Sequence, residues 1–97
     1  MKSKRSRATD IPPNIKKVVW ERDGHRCIFC GSSQAMPNAH VISRAKGGLG
    51  VEENIVTACY QCHFNMDQTS KRQEYLDIAN RYLDQLYGHR EDLIYKK

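Results

Sequence analysis

Apolar residues in this chain recur with two different periods. Ile15, Val18 and Val19, followed by Arg22, take the i, i+3, i+4, i+7 spacing of one helix face. Pro12 and Pro13 stand in front of them, where a first helical turn tolerates proline, and Asp23-Gly24 stops the run. The pattern predicts a short amphipathic helix over 13–22, with Trp20 packing on it. Val41-Ile42 centres a segment over 37–43, and Ile55-Val56-Thr57 lies within 54–58. Both read as short strands, joined through a glycine-rich, basic loop from Arg44 to Gly50. A further helix is expected to start around Cys59 to His63. Tyr75, Ala79, Tyr82, Leu83 and Leu86 then repeat at helical spacing, predicting an amphipathic helix over 71–87. Ser70 and Gln73 have capping-box spacing in front of it, and Gly88 suits its C-cap. The expected order is helix, hairpin, helix, helix.

Length limits what this arrangement can be. The 97 residues allow one small domain plus tails, and so little buried apolar surface that a staple is needed. Four cysteines are available for it. Lys and Arg total 16 against 11 Asp and Glu, a net charge of +5 that favours a polyanionic partner. Residues 1–10 carry Lys2, Lys4, Arg5 and Arg7, and are expected to form a flexible basic arm, either a solvated tail or a contact to DNA. There is no apolar run of membrane-spanning length and no signal-like apolar segment after Met1. The expected location is therefore cytoplasmic, with no membrane partner, and disulfides are rare there.

The cysteines form two C-x-x-C pairs, Cys27/Cys30 and Cys59/Cys62. Each pair can curl around one ion, and four thiolates close a tetrahedral shell suited to structural zinc. Such a shell leaves no open position for water, so that metal is not catalytic. Two disulfides or a redox C-x-x-C are the alternatives. The first fits a cytosolic chain poorly, and the second lacks the expected βαβ pattern. The 28 residues between the pairs exceed the roughly 15–20 of a simple zinc finger, so something is inserted, and the insert holds both predicted strands.

Inside and beside this cysteine frame lie His40, expected to begin its strand, Asn54, and His63 directly after Cys62. Asp67 follows His63 by four residues. On a helix the two share a face and can chelate one divalent ion, leaving its other positions to water and phosphate. His25 and His89 have no partner at such spacing and read as surface residues.

Three stretches then follow one pattern in order: Arg22-Asp23-x3-Cys27-x2-Cys30-Gly31, Ala39-His40-x-Ile42-x-Arg44-x2-Gly47-Gly48, and Asn54-Ile55-Val56-x2-Cys59-x2-Cys62-His63. The set resembles the HNH endonucleases of the ββα-metal (His-Me finger) fold, over about residues 18–67. The resemblance implies an α+β domain with zinc knuckles built on the four cysteines and with flanking N- and C-terminal helices. The expected division is a basic arm over 1–11, a zinc-stapled nuclease domain over 12–69, whose metal-bearing helix spans 60–69, and a C-terminal amphipathic helix and tail over 70–97. It implies His40 as the general base that activates water, Asn54 as the residue that braces the loop and orients the base, and His63 as a ligand of a catalytic Mg²⁺ or Mn²⁺, with Ni²⁺ tolerated. In one departure, many members carry an acidic ligand just before the base histidine, where this chain has Ala39. Asp67 is the candidate replacement.

The implied activity is metal-dependent hydrolysis of DNA phosphodiester bonds, with Arg44 and Lys46 as phosphate contacts and weak sequence preference. Each chain offers one centre, so it is suited to nicking; cutting both strands needs a homodimer or two events. Small free-standing relatives of this kind often occur in phages and mobile elements, and a larger phage or mobile-element protein complex is the partner expected besides DNA and a homodimer. The alternative is a non-catalytic zinc-stapled DNA-binding module, or an accessory subunit of a larger nuclease or packaging complex.

Overall fold

The structure is a computed structural model that describes residues 3–96. Helix α1 spans Lys4–Thr9 and α2 spans Pro13–Arg22. Strands β1, Ala35–His40, and β2, Ile55–Cys59, pair antiparallel as the one sheet among the described residues. Helices α3, Tyr60–Gln68, and α4, Arg72–Tyr87, follow. Short 3-10 turns at Arg44–Lys46 and Glu52–Asn54 mark the ends of the hairpin loop. The result is a small α+β fold with a ββα unit formed by β1, β2 and α3. No described helix is long and apolar enough to cross a membrane.

Three expectations are corrected. The segment expected as a flexible arm is helical over Lys4–Thr9, with Ser3 Oγ accepting from Ser6 N as its cap. Met1 and Lys2 lie outside the described residues. Strand β1 runs over 35–40 instead of 37–43, so His40 ends the strand rather than beginning it. Val41 N still donates to Asn54 O, but Ile42 N donates to Asn54 Oδ1, so a side chain takes over where the β2 backbone has turned away. The capping box does not form: α4 has no side-chain cap at its start, and Lys71 N donates to Thr69 Oγ1 instead.

The register between Met36↔Ala58 and Ala39↔Val56 sets three steps of β1 against two of β2. Pro37 lies in that irregularity. Having no N–H, it cannot continue the ladder, and a bulge absorbs it. Beyond the bulge the pleat turns Ala39 into the core, fully buried with Val56, Cys62 and Met66, while Asn38 and His40 look the other way.

One polar knot joins α2, β2 and α4. Asp23, with no exposed side-chain surface, accepts from Arg22 Nε at 2.8 Å, from Thr57 N at 2.8 Å and from Tyr82 Oη at 2.6 Å. Arg22 also donates to the Glu52 and Ile55 carbonyls, both at 2.7 Å, and to Tyr87 Oη. Burial, then the Asp23 carboxylate, push the Tyr82 hydroxyl up to about 12, so it stays a donor at neutral pH. Because Asp23→Ala strands the Arg22 guanidinium in this knot, it should cost about 3 kcal/mol in urea denaturation. A loss below about 1 kcal/mol would contradict that role for Asp23.

Candidate active site and metal centre

The cysteine cluster is assembled by the ends of elements. The Cys27–Cys30 knuckle turns on Gly31, with φ +80°, where Gly31 N donates to Cys27 O at 2.9 Å. It is tied to the sheet by Ile28 N donating to Thr57 O at 3.0 Å. The second knuckle is the junction of β2 and α3, where Cys59 Sγ also caps the helix by accepting from Cys62 N. All four Sγ atoms lie within 4.8 Å of one another, and Cys30 and Cys59 are 3.6 Å apart. A tetrahedral thiolate shell with bonds near 2.3 Å has edges of roughly 3.8 Å, so the four fit one ion. Burial opposes ionisation of Cys27, but backbone N–H groups outweigh it and bring this thiol down to about 7. Cys62 is pushed up, by burial first and then by the neighbouring sulfurs. The four sulfurs together could hold a metal ion.

A separate pocket of about 560 Å³ opens between β1, α1, α2 and α3. His40, from the end of β1, is buried in its wall. Its Nε2 lies 2.7 Å from the carbonyl oxygen of Thr9, in α1. A carbonyl only accepts, so Nε2 carries the proton and the neutral ring keeps its lone pair on Nδ1. Burial lowers the His40 pKa from its ordinary 6.5. The Thr9 carbonyl works against that shift, while Arg44 and His63 add to it. Across the pocket stand His63 and Asp67, one turn apart on α3, with Nε2 and Oδ2 3.4 Å apart. Two adjacent ligands of one ion at about 2.1 Å would be roughly 3 Å apart, so this pair fits a shared cation.

Arg44 lines the same pocket, paired with the carboxylate of Asp10. Asn54 does not line it. Fully buried, it accepts from Ile42 N and donates to the Ile42 and Leu49 carbonyls, which braces the loop between the strands. That loop is held from outside as well. Arg5 Nη2 donates to Ala45 O at 2.7 Å, Gly50 N to Ala8 O at 3.0 Å, Leu49 N to Leu93 O at 2.8 Å, and Tyr95 N to Gly47 O at 2.7 Å. A Cβ at Gly50 would run into Asp10 O, so α1 can close this tightly only against glycine. Lys46 is exposed and is not part of the pocket wall, whereas Lys16 is.

The family model described as HNH endonuclease matches residues 27–74. This chain thus carries a segment of the HNH endonuclease family. No curated protein and no solved structure matches it. The matched HNH segment contains both cysteine pairs, His40, Asn54, His63 and Asp67, and its family carries DNA as the implied substrate. Helices α1 and α2 and the tail that reaches Leu93 and Tyr95 lie outside it. They supply Thr9, Asp10, Lys16 and the clasp on the loop. Reading the sequence missed Thr9 and Asp10 at this HNH site, as well as Asn38. A backbone acceptor has no residue type to betray it, and Asp10 looked like part of a tail.

The cysteine cluster predicts the effect of metal removal. Chelation, or Cys59→Ser, should abolish the cooperative melt, because ion binding is part of the folding free energy and Cys59 also caps α3. A metal-free protein with an unchanged melting transition would contradict the staple.

Proposed function

We propose that this chain is a metal-dependent DNA endonuclease with His40 as general base. The observation that carries the reading is the commitment of His40 Nε2 to the Thr9 carbonyl at 2.7 Å, in a pocket shared with His63 and Asp67. That bond leaves Nδ1 as the proton acceptor. The lowered pKa keeps the ring neutral, hence basic, through neutral pH.

A divalent ion held by His63 and Asp67, Mg²⁺ or Mn²⁺ with Ni²⁺ tolerated, would offset charge developing on the scissile phosphate. His40 Nδ1 takes a proton from the attacking water as its oxygen bonds to phosphorus. The bond from phosphorus to the 3′ oxygen breaks, and that oxygen takes a proton from solvent. The products are a 3′-hydroxyl and a 5′-phosphate. The imidazolium that forms still donates from Nε2 to Thr9 O, which steadies its charge. Arg44, aimed by Asp10, holds the phosphate, and Lys16 adds charge at the pocket wall. Asn54 keeps the loop that carries Arg44 in place. The four cysteines hold Zn²⁺ as a structural ion. With one centre per chain the expected product is a nick, and two strands are cut only by a homodimer or in two events.

Ala39 favours a second reading. It brings no carboxylate to the pocket, leaving His63 and Asp67 as the protein ligands, as in a non-catalytic DNA-binding module or an accessory subunit of a larger phage or mobile-element complex. Supercoiled plasmid separates the two. Nicking with Mg²⁺, Mn²⁺ or Ni²⁺ should fall at least 100-fold in His40→Ala at equal zinc content. Binding without nicking under all three ions would overturn the nuclease reading.

A further inference from the structure

Two side chains of α3 have no part in that chemistry. Tyr60 is 85% exposed and Phe64 is 40% exposed, and among the described residues neither ring stacks on another. They form an i, i+4 pair. His63 and Asp67 form a second such pair, each three residues beyond an aromatic, so the four side chains make two adjoining rows over two helical turns. A groove of about 200 Å³ lies among Tyr60, Phe64, His63, Asp67 and Gln68. His63 and Asp67 also line the active-site pocket, so the aromatic groove and the phosphate pocket share a wall.

Resting on the nuclease reading, we propose that Tyr60 and Phe64 are a stacking platform for unpaired nucleobases of the scissile strand. The substrate class is then DNA with unpaired nucleotides beside the cut, such as a single strand, a gap or a flap. A phosphate held beside His63 leaves its neighbouring nucleotide over this groove. In a duplex that base is stacked inside the helix and offers no face. An unpaired base does, and every base has a π-face, so stacking of this kind tolerates any sequence. Arg44 and Lys16 in the adjoining pocket supply the positive charge that tracks the backbone.

The test is fluorescence anisotropy with labelled oligothymidine and a fully paired, blunt-ended duplex of equal length, using zinc-loaded His40→Ala protein so that nothing is cut. The single strand should bind more tightly than the duplex. Adding Tyr60→Ala should weaken single-strand binding about tenfold while changing duplex binding less than twofold. Tyr60→Phe, which keeps the ring, should bind the single strand like the parent. Unchanged binding in Tyr60→Ala, equal loss in Tyr60→Phe, or a single strand bound no more tightly than duplex would each overturn the proposal. Because Tyr60 is so exposed, a melting curve for each variant separates lost stacking from lost fold. Tyr60-dependent binding in a parent chain that, with Mg²⁺, Mn²⁺ or Ni²⁺, cuts neither plasmid nor the oligothymidine it binds would overturn the nuclease reading alone. Nicking with Tyr60-independent binding would overturn the platform alone.

Discussion

Four sulfur atoms within 4.8 Å of one another hold the ends of the structure that matter most. They join the 27–30 loop to the point where β2 becomes α3. The apolar core is small and includes Cys27 and Cys62 among its buried members. Placed to hold one metal ion, this cluster would supply cohesion that the core lacks. It also fixes direction. Because α3 starts from a cluster cysteine, its first turns carry His63 and Asp67 to one pocket and present Tyr60 and Phe64 beside it.

The second constraint comes from outside the HNH segment. The loop between the strands is held largely by hydrogen bonds. Asn54 ties it from within, α1 clasps it through Arg5 and Ala8, and the C-terminal tail pairs with it through Leu93 and Tyr95. Closing α1 over the loop places the Thr9 carbonyl on His40 and Asp10 on Arg44. His40 and Arg44 are thus both held by the C-terminal end of α1, through the Thr9 carbonyl and the carboxylate of its C-cap residue Asp10.

Legibility in the sequence followed the physics of each signal. Helix α2 was readable to its ends, because Pro12-Pro13 and Asp23-Gly24 punctuate it. The strand before the loop was displaced. Val41-Ile42 looked like a strand centre, but Pro37 forces a bulge and Asn54 captures Ile42 with its side chain. Ser70 and Gln73 had the spacing of a capping box and formed none; the Thr69 hydroxyl accepts from Lys71 N just ahead of the helix. The thiolate cluster and the His63–Asp67 pair were legible because their spacing is short and local. The Thr9–His40 bond joins residues 31 apart through a backbone oxygen, and no residue pattern encodes that.

The central claim is that a neutral His40, protonated at Nε2 and free at Nδ1, accepts the proton of the attacking water. The pH dependence of single-turnover DNA cleavage tests it most directly. His40 must be neutral to act, and its pKa is lowered, so the rate should stay high below pH 6.5 and fall only at more acid pH. In His40→Ala that acid limb should vanish along with the rate. An acid limb centred at or above 6.5 in the parent, or full activity in His40→Ala, would contradict the account.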